Sequence, residues 1–258
     1  PLLPGDSTLT LTSAPESAPY VAMTEEVLAA AGISLYRTGS RYRIPGGQRY
    51  RLPSPLTVEG DWSSAAFFLC AGAMSREGIA VDGLSLPTRQ GDSALLPLLR
   101  QMGAVVNLSS GCITVRKGRL RATDIDARSI PDLIPPLSVL AAAAEGESHI
   151  QNARRLRYKE SDRLQGIAEL LNSLGGCLTV DGDGLLIHGV SHLQGGTVDP
   201  MGDHRLAMSA ALAALSADAP VTVRDADCVS KSYPAFWADF QSLKGEAPCP
   251  APSETPSV

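Results

Sequence analysis

The chain has 258 residues, 44% hydrophobic and 19% charged, with a formal charge of −5. That composition supports one large core or two small ones and argues against disorder. The acidic balance, with no basic tract outside one short stretch, argues against non-specific nucleic-acid binding but leaves room for a local cationic pocket that takes a small anion. No apolar run approaches the ~20 residues needed to span a bilayer. The cysteines Cys70, Cys112, Cys177, Cys228 and Cys249 are widely spaced, with no CxxC pair. They read as reduced thiols of a cytoplasmic protein, and no metal site or cofactor is expected.

In chain order, STLTLTS reads as a strand, SAPYVAMTEEVLAAAG as a helix, and ISLYRTG with YRIPGGQRYRL as a strand pair. LPSPLT, at 52–57, reads as a linker. From Leu56 the order is a strand and helix in LTVEGDWSSAAFFLCAGAM, a strand in GIAVDGL, a helix and strand in SALLPLLRQMGAVVNL, and a strand in CITVRKG. The same order starts again about 65 to 70 residues later. DIDARSIPDLIPPLSVLAAAA is followed by ESHIQNA, DRLQGIAELLNSLGGCLTV and GLLIHGV. A third copy opens at GGTVDPMGDHRLAMSAALAAL, continues through PVTVRDA and ends on the helix YPAFWADFQSLKG.

Local chemistry supports these boundaries. Asp61 and Ser63 can cap one helix, Pro131 and Asp132 open the next, and Asp203 precedes the third. Gly103 and Gly175 follow the second helix of a unit, where a left-handed residue ends the helix before a strand. Residues 1–56 match only the second half of the unit, so the chain reads as the C-terminal part of a longer protein. Residues 1–56 are then a fragment of one domain, 57–245 a complete three-repeat domain, and 246–258 a disordered Pro- and Ser-rich tail.

Helix N-termini carry unsatisfied N–H donors and about half a positive charge, so helices aimed alike by repetition focus on an anion. Charged residues gather at those ends. In RLRYKESDRL, Lys159, Glu160 and Arg163 precede or open a helix; His204 and Arg205 open another, and Lys231 lies before the last. Each has a plainer explanation. Lys159 and Glu160 could be a solvated capping pair, Arg163 could snorkel, Asp132 could be an N-cap, and Arg155 could decorate a loop. Tyr20 could pack at a helix entry, and His188 and His192 read as surface loop residues. His204 and Arg205 are odder, because cations at a helix start oppose the macrodipole unless an anion is present. The residues alone support a repeat α/β domain with a small-anion pocket and carboxylates placed for proton transfer.

RYKESDRL, GDHRLAM, EGDWSSAAFFLCAGAM, SIPD and CVSKSYPAFW together resemble, in order and spacing, the 5-enolpyruvylshikimate-3-phosphate synthase family over about residues 7–245. The resemblance implies the enolpyruvyl transferase fold, an inside-out α/β barrel of repeated βαβαββ units in two domains. It also implies transfer of the enolpyruvyl group of phosphoenolpyruvate to the 5-hydroxyl of shikimate 3-phosphate, without a metal, by an enzyme that is a monomer when intact. By position, Asp132 and Glu160 resemble the family's proton-transfer carboxylates, and Arg163 and Arg205 the pair that grips the phosphoenolpyruvate carboxylate. Lys231 resembles the lysine near the transferred phosphate and His204 a neighbour of the reacting centre. Lys159 and Asp132 would hold shikimate 3-phosphate, helped by Ser17 and Tyr20, with Arg155 as a further substrate-binding residue.

Two departures bear on that assignment. Ala18 stands where a Lys is frequent, and Arg155 where some members place an Asn. The family's early GSKS-like and GNAGT-like segments, the arginine after them and the SSQ segment are absent, so catalysis is expected to need the missing N-terminal part. A UDP-N-acetylglucosamine enolpyruvyltransferase relative and a non-catalytic anion-binding remnant are the alternatives; KESDRL followed by GDHR favours the shikimate enzyme.

Overall fold

A computed structural model describes residues 1–16, 18–109 and 111–243. The readings made above for Ser17, Cys249 and the tail fall outside the described residues. The chain divides into two compact units, Pro1–Glu59 with Pro87–Gly91, and Gly60–Leu86 with the chain from Asp92 onward. Among the described residues, no helix is long and apolar enough to cross a membrane.

The first unit contains β1 (Ser7–Thr10), α1 (Ala18–Ala30), β2 (Tyr36–Thr38) and β3 (Arg41–Ile44). β3 runs antiparallel between β1 and β2. Among the described residues of this unit the buried apolar side chains are Ala31, Ile33 and Tyr42, and no residue of α1 is buried. The Arg43 guanidinium donates to Asp6 from Nε at 3.0 Å and Nη2 at 2.7 Å, fixing the end of β3 against the segment before β1.

The elements of the second unit fall, in chain order, into three groups. The first comprises α2 (Trp62–Met74), β4 (Ile79–Val81), α3 (Leu95–Gln101), β5 (Val105–Ser109) and β6 (Cys112–Arg116). The second comprises β7 (Ile125–Asp126), α4 (Ile134–Ala142), β8 (Glu147–Gln151), α5 (Arg163–Ser173), β9 (Cys177–Asp181) and β10 (Gly184–His188). The third comprises β11 (Gly196–Val198), α6 (His204–Ala213), β12 (Val221–Val223) and α7 (Phe236–Ser242).

The strand orders β4-β6-β5 and β8-β10-β9 are the same, with the middle strand antiparallel to both neighbours, and β1-β3-β2 repeats it in the first unit. β7 joins β8 in parallel, as β11 joins β12. The third sheet has two strands where the second has four; among the described residues, no strand pair follows β12. LTVEG forms no strand either. Val58 is 84% exposed, and the Gly60 N–H bonds the Gly83 carbonyl at 2.9 Å outside any ladder. A strand pattern becomes a strand only when an edge lies alongside to accept its hydrogen bonds.

Sequence chemistry explains where the core sits. α4 is buried throughout, as are eleven of the thirteen residues of α2 and nine of the ten of α6. A helix apolar all round must be surrounded by protein. These three pack on one another, with β4 and β6 against α2, β8 and β10 against α4, and β12 against α6. α5 is one-sided: Leu164, Ile167, Ala168, Leu170 and Leu171 are buried while Gln165 and Glu169 face out. Pro135 and Pro136 sit in the first turn of α4, where the missing N–H costs no helical bond. Gly103 (φ +93°) and Gly175 (φ +82°) adopt the left-handed conformation expected after α3 and α5. A second cluster joins Phe67 and Phe68 of α2 to Phe236 of α7 in edge-to-face contacts.

Candidate active site

Three of the helices open on an aspartate cap. Asp61 accepts from the Ser63 and Ser64 N–H groups at 3.0 and 3.2 Å, Asp162 from Gln165 at 3.2 Å, and Asp203 from Arg205 at 2.9 Å. α4 differs. Its cap residue, Leu133, offers no side chain, and Asp132, in the turn Pro131–Leu133 before it, is engaged with cations. The N-cap explanation of Asp132 is therefore replaced by an electrostatic one.

Arg163, at the first position of α5, organises those charges. Its side chain is 1% exposed, so it does not snorkel. Nε donates to Asp203 Oδ2 at 2.7 Å, Nη1 to Asp132 Oδ1 at 2.8 Å, and Nη2 to Glu160 Oε2 at 2.5 Å and Asp203 Oδ1 at 3.3 Å. Four of the five guanidinium hydrogens are thus committed to three carboxylates. Lys159 Nζ lies 3.2 Å from Asp132 Oδ1, and Arg205 Nε lies 3.5 Å from the same oxygen. Lys231 Nζ reaches Glu160 Oε1 at 3.1 Å, and Ser161 Oγ donates to Asp203 Oδ2 at 3.1 Å. The capping-pair reading of Lys159 and Glu160 fails, since each pairs with a residue distant in sequence.

The titration behaviour follows from this packing. Burial pushes the Asp132 carboxyl up, but Arg205, Lys159 and Arg163 outweigh it and bring it to about 2. Glu160 is likewise raised by burial but taken to about 2 by its own backbone N–H, Arg163 and Lys231. Burial lowers the pKa of His204, as do Arg205 and Arg163, while Asp203 and Glu160 oppose them. His204 is 4% exposed, with an unpartnered Nδ1. Lys159, Arg163, Arg205 and Lys231 therefore meet Asp132, Glu160 and Asp203 around the openings of α4, α5 and α6. The gathered cations and the helix N-termini suit an anion that takes over their pairing from the carboxylates.

Asp132, Lys159, Glu160, Arg163, His204, Arg205 and Lys231 are thus brought together. Arg155 is half-buried in the turn Arg154–Tyr158, just before Lys159. Tyr20 is on α1 in the first unit, 40% exposed, with its carbonyl accepting from Thr24. Sequence reasoning placed Asp203 only as a cap, and the structure gives it a second task as the principal partner of Arg163. Its signal was its place in GDHR, directly before the two cations that open α6. His188 is no loop residue: it lies on β10, its Nδ1 2.9 Å from Glu147, which also meets His149 Nε2 at 3.0 Å. His192 Nδ1 lies 3.6 Å from Asp218.

This arrangement of strands and helices, with cations and carboxylates gathered at helix openings, is the enolpyruvyl transferase fold. EPSP synthase from Acinetobacter baumannii superposes with a TM-score of 0.76 at 28% identity, covering 94% of this chain and 57% of that one. The enolpyruvyl transferase NikO from Streptomyces tendae shares the fold at a TM-score of 0.73 and 24% identity, over 94% of this chain and 56% of its own. The sequence model of EPSP synthase (3-phosphoshikimate 1-carboxyvinyltransferase) matches residues 1–240, and the chain belongs to that family. Similar curated proteins are the 3-phosphoshikimate 1-carboxyvinyltransferases of Clostridium kluyveri, 41% identical over 249 residues, and of Methanocella arvoryzae, 43% identical over 245. The alignments cover 95% and 94% of this chain but only 58% and 57% of those relatives.

Proposed function

We propose that this chain supplies one wall of an enzyme that transfers the enolpyruvyl group of phosphoenolpyruvate to the 5-hydroxyl of shikimate 3-phosphate, releasing phosphate. The observation that carries this reading is the convergence of Lys159, Arg163, Arg205 and Lys231 on Asp132 and Glu160. Both substrates are anions, and both carboxylates are within reach of cations that substrate could take over. In this reading the second unit is a three-repeat domain arranged as an inside-out α/β barrel, and residues 1–56 end a second domain. The intact enzyme is a cytoplasmic monomer.

The charges order the chemistry. At about 2, Glu160 is ionised at neutral pH and cannot donate a proton while Arg163 and Lys231 hold it. A substrate carboxylate that takes over Arg163, or a phosphate that takes over Lys231, removes a stabilising cation and adds an anion, both of which raise Glu160. Glu160 then protonates the methylene carbon of phosphoenolpyruvate, and the 5-hydroxyl oxygen attacks C2 as Asp132 accepts its proton. Breaking the C2–O bond expels phosphate, which receives the proton from Asp132, while Glu160 recovers a proton from the methyl carbon and the vinyl ether forms. Arg205 and Arg163 orient the carboxylate, Lys231 neutralises the departing phosphate, and Lys159 with Ser17, Tyr20 and Arg155 binds shikimate 3-phosphate.

The absent segments would supply further donors, each costing on the order of 3 kcal/mol of transition-state stabilisation when lost. The chain alone is therefore inactive in this reading. Phosphate release from the two substrates, measured with and without a supplied N-terminal polypeptide of the family, tests it. Turnover only in the mixture, abolished by Asp132→Asn, supports the reading; robust turnover by the chain alone overturns the need for a second part.

A further inference from the structure

Asp92 has no place in the roles above, and no helix needs it. It lies in the 3-10 turn Gly91–Ala94, yet α3, which follows, opens on Ala94 without a side-chain cap. It is 3% exposed. Its Oδ2 accepts from the hydroxyl of Ser63 in the first turn of α2, while its Oδ1 is buried with no hydrogen-bond partner. Ser63 was placed by sequence as a helix cap; Asp61 fills that position and leaves the Ser63 hydroxyl for Asp92. Ser63 opens α2, which packs on α6 and on the turn that holds Asp132, and Asp132 in turn pairs with Arg205; the charged groups that act on Asp92 are accordingly Asp61, Asp132 and Arg205. A buried carboxyl with one orphan oxygen, next to a cluster of like and opposite charges, is costly as pure scaffold.

We propose that Asp92 is a positioning residue of the anion site, ionised when the site is empty and Arg205 is free to offset its charge, and protonated when an anion seats on Arg205. The inference rests on the anion site proposed above but not on the identity of the reaction. Burial raises the Asp92 carboxyl to about 6; Asp132 and Asp61 add to this, and the Ser63 hydrogen bond and Arg205 oppose it. An anion drawing on Arg205 removes the main opposing cation and adds negative charge, so proton uptake keeps the pocket's charge from growing more negative. His204, beside Arg205, also gains a proton on acidification and must be separated from it.

The test is carboxyl-detected NMR of the full chain between pH 5 and 8, with sulfate, which stays a dianion throughout, against chloride at equal ionic strength. Asp92→Asn assigns the resonance, and Ser63→Ala, which removes the opposing hydrogen bond and raises the midpoint, assigns it independently if that variant does not fold. The expected result is an Asp92 midpoint that rises with sulfate, together with sulfate affinity that strengthens on acidification by about tenfold for each unit of that rise. Asp92→Asn should keep only the smaller dependence due to His204. Shifts at Arg205 and Lys159 with an unmoved Asp92 overturn the inference and leave the anion site standing. No shift at any of them overturns both.

Discussion

Replacing Arg163 with Met would leave three carboxylates without the cation they share. The side chain of Asp203 is 0% exposed and that of Asp132 12%, so neither can rely on water when the guanidinium is removed. Breaking a buried pair by deleting one partner costs about 3–5 kcal/mol. With an m-value near ~2–3 kcal/mol/M, the urea midpoint should fall by roughly 1–2 M at pH 7. Trp62, fully buried on α2, reports unfolding of the second unit by fluorescence. The pH dependence has a definite sign. Asp132 and Glu160 titrate at about 2 when folded, below the ~4 of an unfolded chain. Their contribution is therefore complete above pH ~4 and is lost as pH falls toward 2, and the deficit of Arg163→Met should shrink over the same window. Arg163→Lys keeps the charge but not the fork, and should recover only part of the loss. A midpoint shift under ~0.3 M, or one unchanged between pH 7 and pH 3, would refute the view of Arg163 as organiser.

Other substitutions separate fold from site. Asp61→Ala removes the acceptor for two N–H groups at the start of α2 and should cost about 1 kcal/mol in urea denaturation. Gly103→Ala places a Cβ against the Arg119 carbonyl at φ +93°, and should lower stability by more than ~1 kcal/mol. Lys231→Met removes a side chain that is 57% exposed, so stability should change by less than ~0.5 kcal/mol while the Glu160 carboxyl rises from about 2 in NMR titration.

Much of the fold was legible because the same weak local signals recur along the chain. One Gly after one helix says little, but Gly103 and Gly175 each stand between a helix and the first strand of an antiparallel pair, and both adopt positive φ. All-round apolar stretches such as IPPLSVLAA mark helices that must be enclosed, which fixes α2, α4 and α6 at the centre. LTVEG shows the limit: alternation is a local property, whereas a ladder depends on what lies alongside. The same limit hid Asp203 and Asp92. Each sits at a helix or turn opening, where an aspartate is explained by capping, and only the fold reveals that their oxygens meet groups about 30 to 40 residues away.

The site's internal pairing bears on which cations are available to a ligand. Lys159, Arg163, Arg205 and Lys231 carry the same charge, so sequence gives no ground for ranking them. Burial and pairing do. Arg163 has four hydrogens committed and is 1% exposed, so an anion must first displace a carboxylate to use it. Lys231, 57% exposed with one partner, and Lys159, 23% exposed, are reached with smaller loss. Arg205 holds Asp132 only at 3.5 Å, longer than a strong charge-assisted bond, and is the guanidinium most readily turned to a ligand. Binding should therefore begin on Lys231 and Arg205 and reach Arg163 last, when Glu160 is released. That order couples full seating of the anion to the change in Glu160 that proton donation requires.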